Sequence, residues 1–367
     1  MTTPPLLSVI IPCHNGAATL GACLEALQAA AQPPLPAATQ CPDQVWPLGP
    51  HGFEVVVVDD ASTDDTAAIG ERYPCRLLKL PSQRGASAAR NIGAAAARGK
   101  ILFFIDADCL VEPTTLQTVI AVADRHGRQW IIGGTYSLTP ADRFFCSRWQ
   151  AAFIHHFESK RQRPDYIATH AMIIHAATFA ASGGFPEDFL PIIEDVEFSH
   201  RLRRQGLALA MEPSLQVRHV FHYTPRRWLA NAWRKSRYWT IYSLSQQDLL
   251  SDSGTASHEL KLNVAVLATT ALLLLLWMVL GWLRPEWPAA YTLWLAAALV
   301  LLIGGNLWWQ RRLLATFRRA GGWGFALAAG ACYLLLYPWP VGLGGLAGLA
   351  TFYLKGGQLP AGVPRRP

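Results

Sequence analysis

Residues 101–108 (ILFFIDAD) restrict the possible folds of this chain more than any other segment. Five consecutive apolar residues, with β-branched and aromatic side chains among them, predict a strand that is buried on both faces. Asp106 and Asp108 follow at its carboxyl end, the edge of an open α/β sheet where ligands bind. Two carboxylates there need a positive partner, and a divalent cation that carries a phosphate ester would provide one. The pair alone leaves open that Asp108 only caps the next helix.

Apolar runs and helical patterns alternate around this segment, which predicts an α/β fold with a mostly parallel sheet. Residues 32–52 interrupt the alternation with six prolines and no periodicity, so we expect a surface insertion there. From residue 130 the alternation loosens. Strands are predicted at 7–12, 54–58, 76–80, 101–105, 130–138, 171–175, 208–211 and 216–220, and helices at 17–31, 61–73, 83–98, 112–126, 176–182 and 194–205.

The charge of +7 is unevenly distributed along the 367 residues. Residues 261–367 hold nine Lys or Arg and one acid, Glu286, whereas the first 260 residues carry a net charge of −1. This distribution argues against nucleic acid as the main partner and favours a soluble domain attached to a membrane. Seven scattered cysteines without a C-x-x-C motif indicate reduced thiols, not disulfides or a zinc site.

Five motifs together resemble the GT-A glycosyltransferases of family 2, over residues 6 to about 220. In chain order they are LSVIIPCHN (7–15), VVVVDDASTDDT (55–66), RGASAARNIGAAAARGKILFFIDAD (84–108), GGFPE (183–187) and EDVEFSHRLRRQG (194–206). The resemblance implies a Rossmann-like GT-A domain that binds a nucleotide-diphosphate sugar and a divalent metal, Mg²⁺ or Mn²⁺. It also implies inversion at the anomeric carbon.

The same resemblance implies where the donor binds. Pro12 matches the loop along the nucleotide base, and Asp59 and Asp60 match the acidic pair that contacts base and ribose, where a carboxylate accepts from N–H or hydroxyl donors. Arg84 and Arg90 match basic residues near the diphosphate. The alternatives are that Asp60 caps a helix and that the two arginines are surface charges. Gln83 departs from the family, which usually has Asn there.

Asp106 and Asp108 match the metal-binding D-x-D motif, and Asp195 matches the catalytic base, with Glu194 beside it among the donor-binding residues. Inversion needs a carboxylate opposite the leaving diphosphate, and general base catalysis contributes roughly 10²–10⁴-fold. The alternative is that both acids only favour the start of a helix. In some relatives a histidine at the position of His219 completes the metal shell. His170 departs from the family and is either a substrate contact or a structural histidine.

The carboxyl-terminal third predicts a membrane region. We expect a domain at 1–222, a basic aromatic interfacial helix and linker at 223–260, and a membrane region at 261–367. Uncharged stretches at 263–283 and 289–309 each match the roughly 20 residues that cross hydrocarbon. Residues 323–354, broken at 338–340, form either one kinked span or a hairpin, and the basic tail (Lys355, Arg365, Arg366) favours the hairpin. An ordinary packed helix is the alternative at 223–242.

Four arginines at 311–319 place the loop after the second span in the cytoplasm and the turn at 284–288 outside. We therefore expect a multi-pass protein of the inner (plasma) membrane whose catalytic domain is cytoplasmic, acting on a lipid-linked or membrane-delivered acceptor, with membrane lipids as further partners. A processive polysaccharide synthase is a second possibility, disfavoured because Thr224 replaces the Gln of the Q-x-x-R-W motif. A non-catalytic scaffold is a third, disfavoured by the intact Asp106, Asp108 and Asp195.

Overall fold

A computed structural model describes residues 4–33, 44–284, 289–354 and 356. The chain divides into two compact units, one up to His222 and the other from Tyr223. Three predicted features lie partly or wholly outside the described residues: positions 34–43 of the insertion, the turn at 285–288, and the basic tail at Lys355, Arg365 and Arg366.

Helices and a single extended sheet make up the first unit. Its strands are β1 (Leu7–Cys13), β2 (Trp46–Leu48), β3 (His51–Asp59), β4 (Arg76–Lys79), β5 (Ile101–Phe104), β6 (Cys109–Val111), β7 (Trp130–Tyr136), β8 (Met172–His175) and β9 (Ala208–His219). Its helices are α1 (Leu20–Ala29), α2 (Thr66–Gly70), α3 (Ala86–Ala96), α4 (Thr115–His126), α5 (Phe145–Glu158), α6 (Ala176–Ser182) and α7 (Glu194–Arg204).

The strand order is β2-β3-β1-β5-β8-β7-β9-β6, with β4 paired to the other edge of β3. The predicted α/β class is confirmed, and the sheet is mixed. Strands β4, β3, β1 and β5 are parallel, because helical crossovers connect them, whereas β8 runs antiparallel to both β5 and β7. The two short strands predicted at 208–211 and 216–220 form the continuous strand β9, which is parallel to β7 and antiparallel to β6.

Close packing of α3 on the sheet fixes the geometry of the parallel half. A Cβ atom on Gly93 would lie 2.6 Å from Cγ2 of Ile10 and 3.2 Å from Cγ2 of Val58. The small residues of α3 therefore let it lie directly on β1 and β3. Below it, Ile10 and Phe104 belong to one buried cluster and Val58 to another. Parallel pairing of β1 with both β3 and β5 places the carboxyl ends of the three strands along one edge.

Part of the predicted surface insertion is ordered structure, which corrects the loop prediction for residues 46–52. Strand β2 pairs antiparallel with the start of β3, with Trp46 opposite Phe53. The Trp46 side chain is fully buried, and its indole Nε1 donates to the carbonyl of Pro74 over 2.7 Å. Residues 46–48 form a strand because one large indole supplies the buried apolar area that a short, proline-containing segment otherwise lacks.

The second unit is helical, with α8 (Pro225–Gln246), α9 (His258–Leu283), α10 (Ala289–Trp309), α11 (Arg311–Ala331) and α12 (Pro338–Leu354). Three helical stretches are long and apolar enough to cross a membrane: His258–Leu283, Ala289–Trp309 and Arg311–Leu354. Helix α8 packs along α12, and Ser236 on α8 donates to the carbonyl of Val341 over 2.7 Å. Trp228 of α8 is buried and stacks on Tyr337, so part of the apolar surface of α8 is covered inside this unit.

The stretch Arg311–Leu354 contains two irregular turns. At Gly321 and Gly322 the backbone leaves helical geometry, with φ of +77° at Gly322, so α11 consists of two arms. A π-helical turn at Cys332–Leu336 precedes α12, and the N–H of Tyr337 donates to the carbonyl of Cys332. We predicted the break at 338–340. It lies earlier because Pro338 begins α12, where its missing N–H removes no helical bond.

Candidate functional site

Acidic side chains lie at the carboxyl ends of β3 and β5, the two strands that pair with β1 at the same edge of the sheet. Asp59 ends β3 in register with Cys13 of β1, and Pro12 lies opposite Val58. Asp106 and Asp108 follow β5, which pairs with the other side of β1. Parallel register therefore brings the predicted nucleotide-binding and metal-binding positions to neighbouring strand ends.

The Asp59–Asp60 pair organises two loops. Asp60 is buried, and its two oxygens accept from the backbone N–H groups of Arg84 and Gly85 over 2.7 and 2.8 Å. Asp59, also buried, accepts from the N–H of Ser62 over 3.0 Å. Asp60 thus fixes the loop that starts α3, and each of its oxygens retains a further lone pair for a ligand.

Arg84 and Arg90 occupy different environments. The Arg84 guanidinium is half exposed and donates to Glu187 of the GGFPE segment over 2.8 Å. Arg90 is buried, so the alternative of a surface charge is wrong for this residue. Its Nη1 donates to Oε1 of Glu194 over 2.7 Å, and its Nη2 donates to Oδ1 of Asp106 over 2.8 Å. One guanidinium therefore connects the D-x-D segment to the start of α7.

The two carboxylates of the D-x-D segment differ in electrostatics. Burial would raise the pKa of Asp106, but the adjacent Arg90 guanidinium outweighs it and holds that pKa below its usual range. Burial, together with repulsion from Asp106, raises the pKa of Asp108 to about 7. Unlike Asp106, Asp108 forms no ion pair with an arginine or lysine among the residues that the structure describes, and a bound metal ion would relieve its repulsion from Asp106.

Asp108, Cys109 and His219 form a cluster whose potential ligand atoms all lie within 4.8 Å of one another. His219 reaches it because β6 and β9 pair with Cys109 opposite His219, which places its Nε2 3.3 Å from Oδ1 of Asp108. Burial and the nearby carboxylates raise the pKa of the Cys109 thiol well above its ordinary value, so the thiol stays neutral and is a poor ligand. Carboxylates with one imidazole fit Mg²⁺ or Mn²⁺ better than a thiolate site would.

A buried histidine lies beside this cluster. The His170 ring stacks on Tyr136 with centroids 4.0 Å apart, and its Nε2 lies 3.3 Å from Oε2 of Glu158. Burial lowers the pKa of His170, but Glu158, with Asp106 and Asp195 adding to it, gives a net upward shift. Glu158 and Tyr136 were not predicted, because neither lies in a motif and only the tertiary fold brings them to His170.

Asp195 lies in the first turn of α7 and is half-buried. Its Oδ1 accepts from the N–H of Val196 over 2.9 Å, and its charge acts on His170. Ile193, just before the helix, adopts φ of +69°, a conformation that is uncommon for a β-branched residue. This turn of the backbone sets the direction of the first turn of α7. Glu194 accepts a hydrogen bond from Arg90, and Asp195 lies close enough to His170 to raise its pKa.

Two family models match the chain. "Glycosyl transferase family 2" matches residues 8–182, and "Glycosyl transferase family group 2" matches residues 101–310, more than half of the chain. The chain therefore belongs to the family 2 glycosyltransferases.

Curated relatives match shorter stretches. The uncharacterized glycosyltransferase YibD of Escherichia coli is 33% identical over 127 residues, which cover 34% of this chain and 32% of the relative. The succinoglycan biosynthesis protein ExoO of Rhizobium meliloti is 44% identical over 79 residues, covering 21% and 23%. The chain thus spans no more than about a third of the length of these two relatives.

Among solved structures, the mannosyltransferase PcManGT from Pyrobaculum calidifontis, in complex with GDP-Man and Mn²⁺, matches with a TM-score of 0.53. The match covers 97% of this chain and 89% of that chain at 18% identity. The predicted GT-A fold, with a helical carboxyl-terminal region, is therefore confirmed.

Proposed function

We propose that this chain transfers a sugar from a nucleotide-diphosphate sugar to a hydroxyl group, with inversion at the anomeric carbon. The observation that carries the proposal is the bridge made by Arg90 between Asp106 and Glu194. It joins the acidic end of β5 to the helix start that bears Asp195, so the candidate metal ligands and the candidate base belong to one connected arrangement.

Asp106, Asp108 and His219 are the residues that would hold Mn²⁺ or Mg²⁺. Their oxygen and imidazole donors suit these cations, and a bound cation would offset the burial and the repulsion from Asp106 that raise the pKa of Asp108. When bound, the cation would neutralise charge on the departing diphosphate. Arg90 keeps Asp106 ionised and oriented for this role.

The donor is assigned to the edge beside this cluster. Asp59, Asp60 and the loop after Pro12 would contact the nucleoside, since carboxylates accept from its N–H and hydroxyl groups. The half-exposed Arg84 is placed on the diphosphate. Arg90, with Glu194, is assigned a positioning role because both side chains are already engaged with each other.

Asp195 would act as the general base. The acceptor oxygen attacks the anomeric carbon, the bond from that carbon to the diphosphate oxygen breaks, and the hydroxyl proton passes to the Asp195 carboxylate. The nearby His170, whose positive form is favoured by Glu158, would stabilise the ionised state of Asp195 before the transfer.

The acceptor is proposed to be lipid-linked or membrane-delivered. Three helical stretches capable of crossing a membrane support anchoring, and the basic, Trp-rich helix α8 supports contact with lipid headgroups. We place the protein in the plasma membrane as a multi-pass enzyme with its catalytic unit in the cytoplasm, where nucleotide sugars are made.

A transfer assay tests the function. Purified full-length protein is incubated with radiolabelled nucleotide sugars, Mn²⁺ or Mg²⁺, and either a membrane lipid extract or soluble sugars. We expect label in the lipid fraction, lost on chelation and restored by added metal. Transfer that is insensitive to chelation contradicts the metal assignment, and equal use of soluble acceptors contradicts the lipid-linked acceptor. Absence of both transfer and hydrolysis with every donor contradicts the enzyme itself.

A further inference from the structure

The first arm of α11, residues 311–320, is an amphipathic helix. Its buried residues are Leu313, Thr316, Phe317 and Ala320, and its four arginines are exposed. The arm ends at the Gly321–Gly322 break, after which the second arm is apolar. A charged arm followed by an apolar arm is the arrangement expected where a helix passes from a membrane surface into hydrocarbon.

A cavity of about 600 Å³ lies within the second unit, between this basic arm, the apolar arm of α11, α9 and α10. Its volume falls in the range of roughly 300–1,000 Å³ that is typical of ligand sites. Its lining is apolar apart from Thr270, Asn306 and two arginines, Arg311 and Arg318. Asn306 is already engaged, because its Nδ2 donates to Oδ1 of Asn263 over 2.8 Å. The arginines are therefore the cavity's principal polar groups.

The two arginines lie on the cavity face of the basic arm. Arg311, Leu314, Ala315 and Arg318 all line the cavity, and their spacing of three, four and seven residues puts them on one side of a helix. Arg312 and Arg319 carry the same charge in the same arm but do not line the cavity. Only one pair of arginines thus combines positive charge with direct access to the apolar space.

Aromatic rings hold both guanidiniums at the cavity. The Cζ of Arg311 lies 4.0 Å from the centroid of the Trp308 ring, and that of Arg318 lies 4.8 Å from the Trp323 centroid. Among the residues that the structure describes, no carboxylate forms an ion pair with either arginine. The sequence offers little compensation, since Glu286 is the only acid after Glu259. The positive charge calls for an anion from outside the chain.

We propose that this cavity binds one anionic phospholipid, with its phosphate between Arg311 and Arg318 and an acyl chain in the apolar space. The charge favours a lipid with a net negative headgroup over a zwitterionic one, whose ammonium group would lie close to two guanidiniums. The exposed, apolar Leu327 and Leu335 line the route by which an acyl chain enters from the bilayer. The inference rests on the membrane insertion proposed above and adds a lipid site separate from the acceptor.

Native mass spectrometry of the full chain in detergent tests the site. Phosphatidylglycerol, phosphatidylcholine with the same acyl chains, and glycerol 3-phosphate are titrated separately. We expect tightest binding of phosphatidylglycerol. The double variant Arg311→Gln/Arg318→Gln should weaken it by roughly fivefold for each arginine, about 25-fold in total. The matched control Arg312→Gln/Arg319→Gln, with the same loss of charge, should retain the affinity of the unmodified chain.

The acyl-chain half of the site has its own variant. Ala331→Phe places a ring at the cavity wall and should weaken phosphatidylglycerol binding without changing the arginines. Unchanged thermal unfolding in detergent establishes that each variant is folded. Equal binding of both lipids, equal loss in the control pair, or binding of glycerol 3-phosphate as tight as that of the lipid would each overturn the proposal. Membrane insertion is checked separately by alkaline carbonate extraction, so the two ideas can fail independently.

Discussion

The guanidinium of Arg90 donates from Nη2 to Oδ1 of Asp106 over 2.8 Å, in a place where the arginine side chain is 5% exposed. This contact ties a helix of the parallel half to the acidic end of the central strand. It keeps one carboxylate of the D-x-D segment ionised, whereas in the described part of the chain no guanidinium pairs with Asp108, whose neighbour is the imidazole of His219.

Replacing Arg90 with Gln should destabilise the first unit and reduce metal binding together. Asp106 and Glu194, both partly buried, would lose their shared cation, and breaking a fully buried ion pair costs about 3–5 kcal/mol. We expect the lower end of that range, since Asp106 keeps some contact with solvent. Urea unfolding measures the change. Arg84→Gln, which breaks a half-exposed pair with Glu187, is the control and should cost at most about 1 kcal/mol. Equal losses in the two variants would refute the bridging role.

Asp108→Asn should weaken Mn²⁺ binding strongly, because it removes an anionic ligand from the cluster with His219. His219→Ala should weaken Mn²⁺ binding by about tenfold or more. Losing a group that only supports a metal ligand already costs about that much, and His219 is proposed to be a ligand itself. Isothermal titration with Mn²⁺ gives both values. Asp124→Asn, on the exposed side of α4, is the charge-matched control and should bind like the unmodified chain. A normal Mn²⁺ affinity for Asp108→Asn would remove the metal assignment.

Asp195→Asn should reduce kcat by roughly 10²–10⁴-fold while nucleotide-sugar binding persists, since the amide cannot accept the acceptor's proton. Steady-state transfer kinetics and donor titration separate these two effects. A variant that loses donor affinity to the same degree as kcat would instead point to a role for Asp195 in binding the donor.

Small residues on α12 predict a stability effect within the second unit. A Cβ on Gly344 would lie 2.4 Å from the carbonyl oxygen of Trp233, and one on Gly348 would lie 2.5 Å from that of Arg237. Because helical carbonyls cannot move aside easily, Ala at either position should destabilise by about 1–3 kcal/mol. Thermal unfolding in detergent is the measurement.

Gly345 on the same helix provides the control for this pair. A Cβ there would lie 3.6 Å from Oγ1 of Thr240, an ordinary contact. Gly345→Ala should therefore leave the free energy of unfolding unchanged or raise it by up to about 1 kcal/mol, since Ala has a higher helix propensity than Gly. If Gly345→Ala lost as much stability as Gly344→Ala, the close approach of α8 and α12 would not be the reason that position 344 requires glycine.

Local patterns in the sequence were enough to place the strand ends. An apolar run followed by acids located Asp106 and Asp108 after β5, because burial and chain direction are both local consequences of the pattern. The same patterns did not distinguish parallel from antiparallel neighbours, since strand direction depends on connections that periodicity does not report. The segment around Trp46 was predicted to be a loop because it is rich in proline. The pattern gave no sign that one buried indole would anchor β2.

The internal connections of the candidate site were beyond local patterns. Arg90 was matched to a motif, but its simultaneous contacts with Asp106 and Glu194 depend on how α3 and α7 pack on the sheet. Glu158 lies at the end of α5, and nothing in its neighbourhood in the sequence marks it as the partner of His170. Such pairs are set by tertiary register, which a single sequence does not display.

The pairing of β6 with β9 determines at which stage of synthesis and folding the candidate metal cluster can form. His219 comes to lie opposite Cys109 only once β9, the last strand in chain order, has joined the sheet. A nascent chain still emerging from the ribosome therefore holds Asp108 without its imidazole neighbour until almost the entire first unit has been synthesised. Metal binding at this cluster, as proposed above, would therefore require the finished sheet. A chain truncated before β9 would lack His219 even if it retained the D-x-D segment.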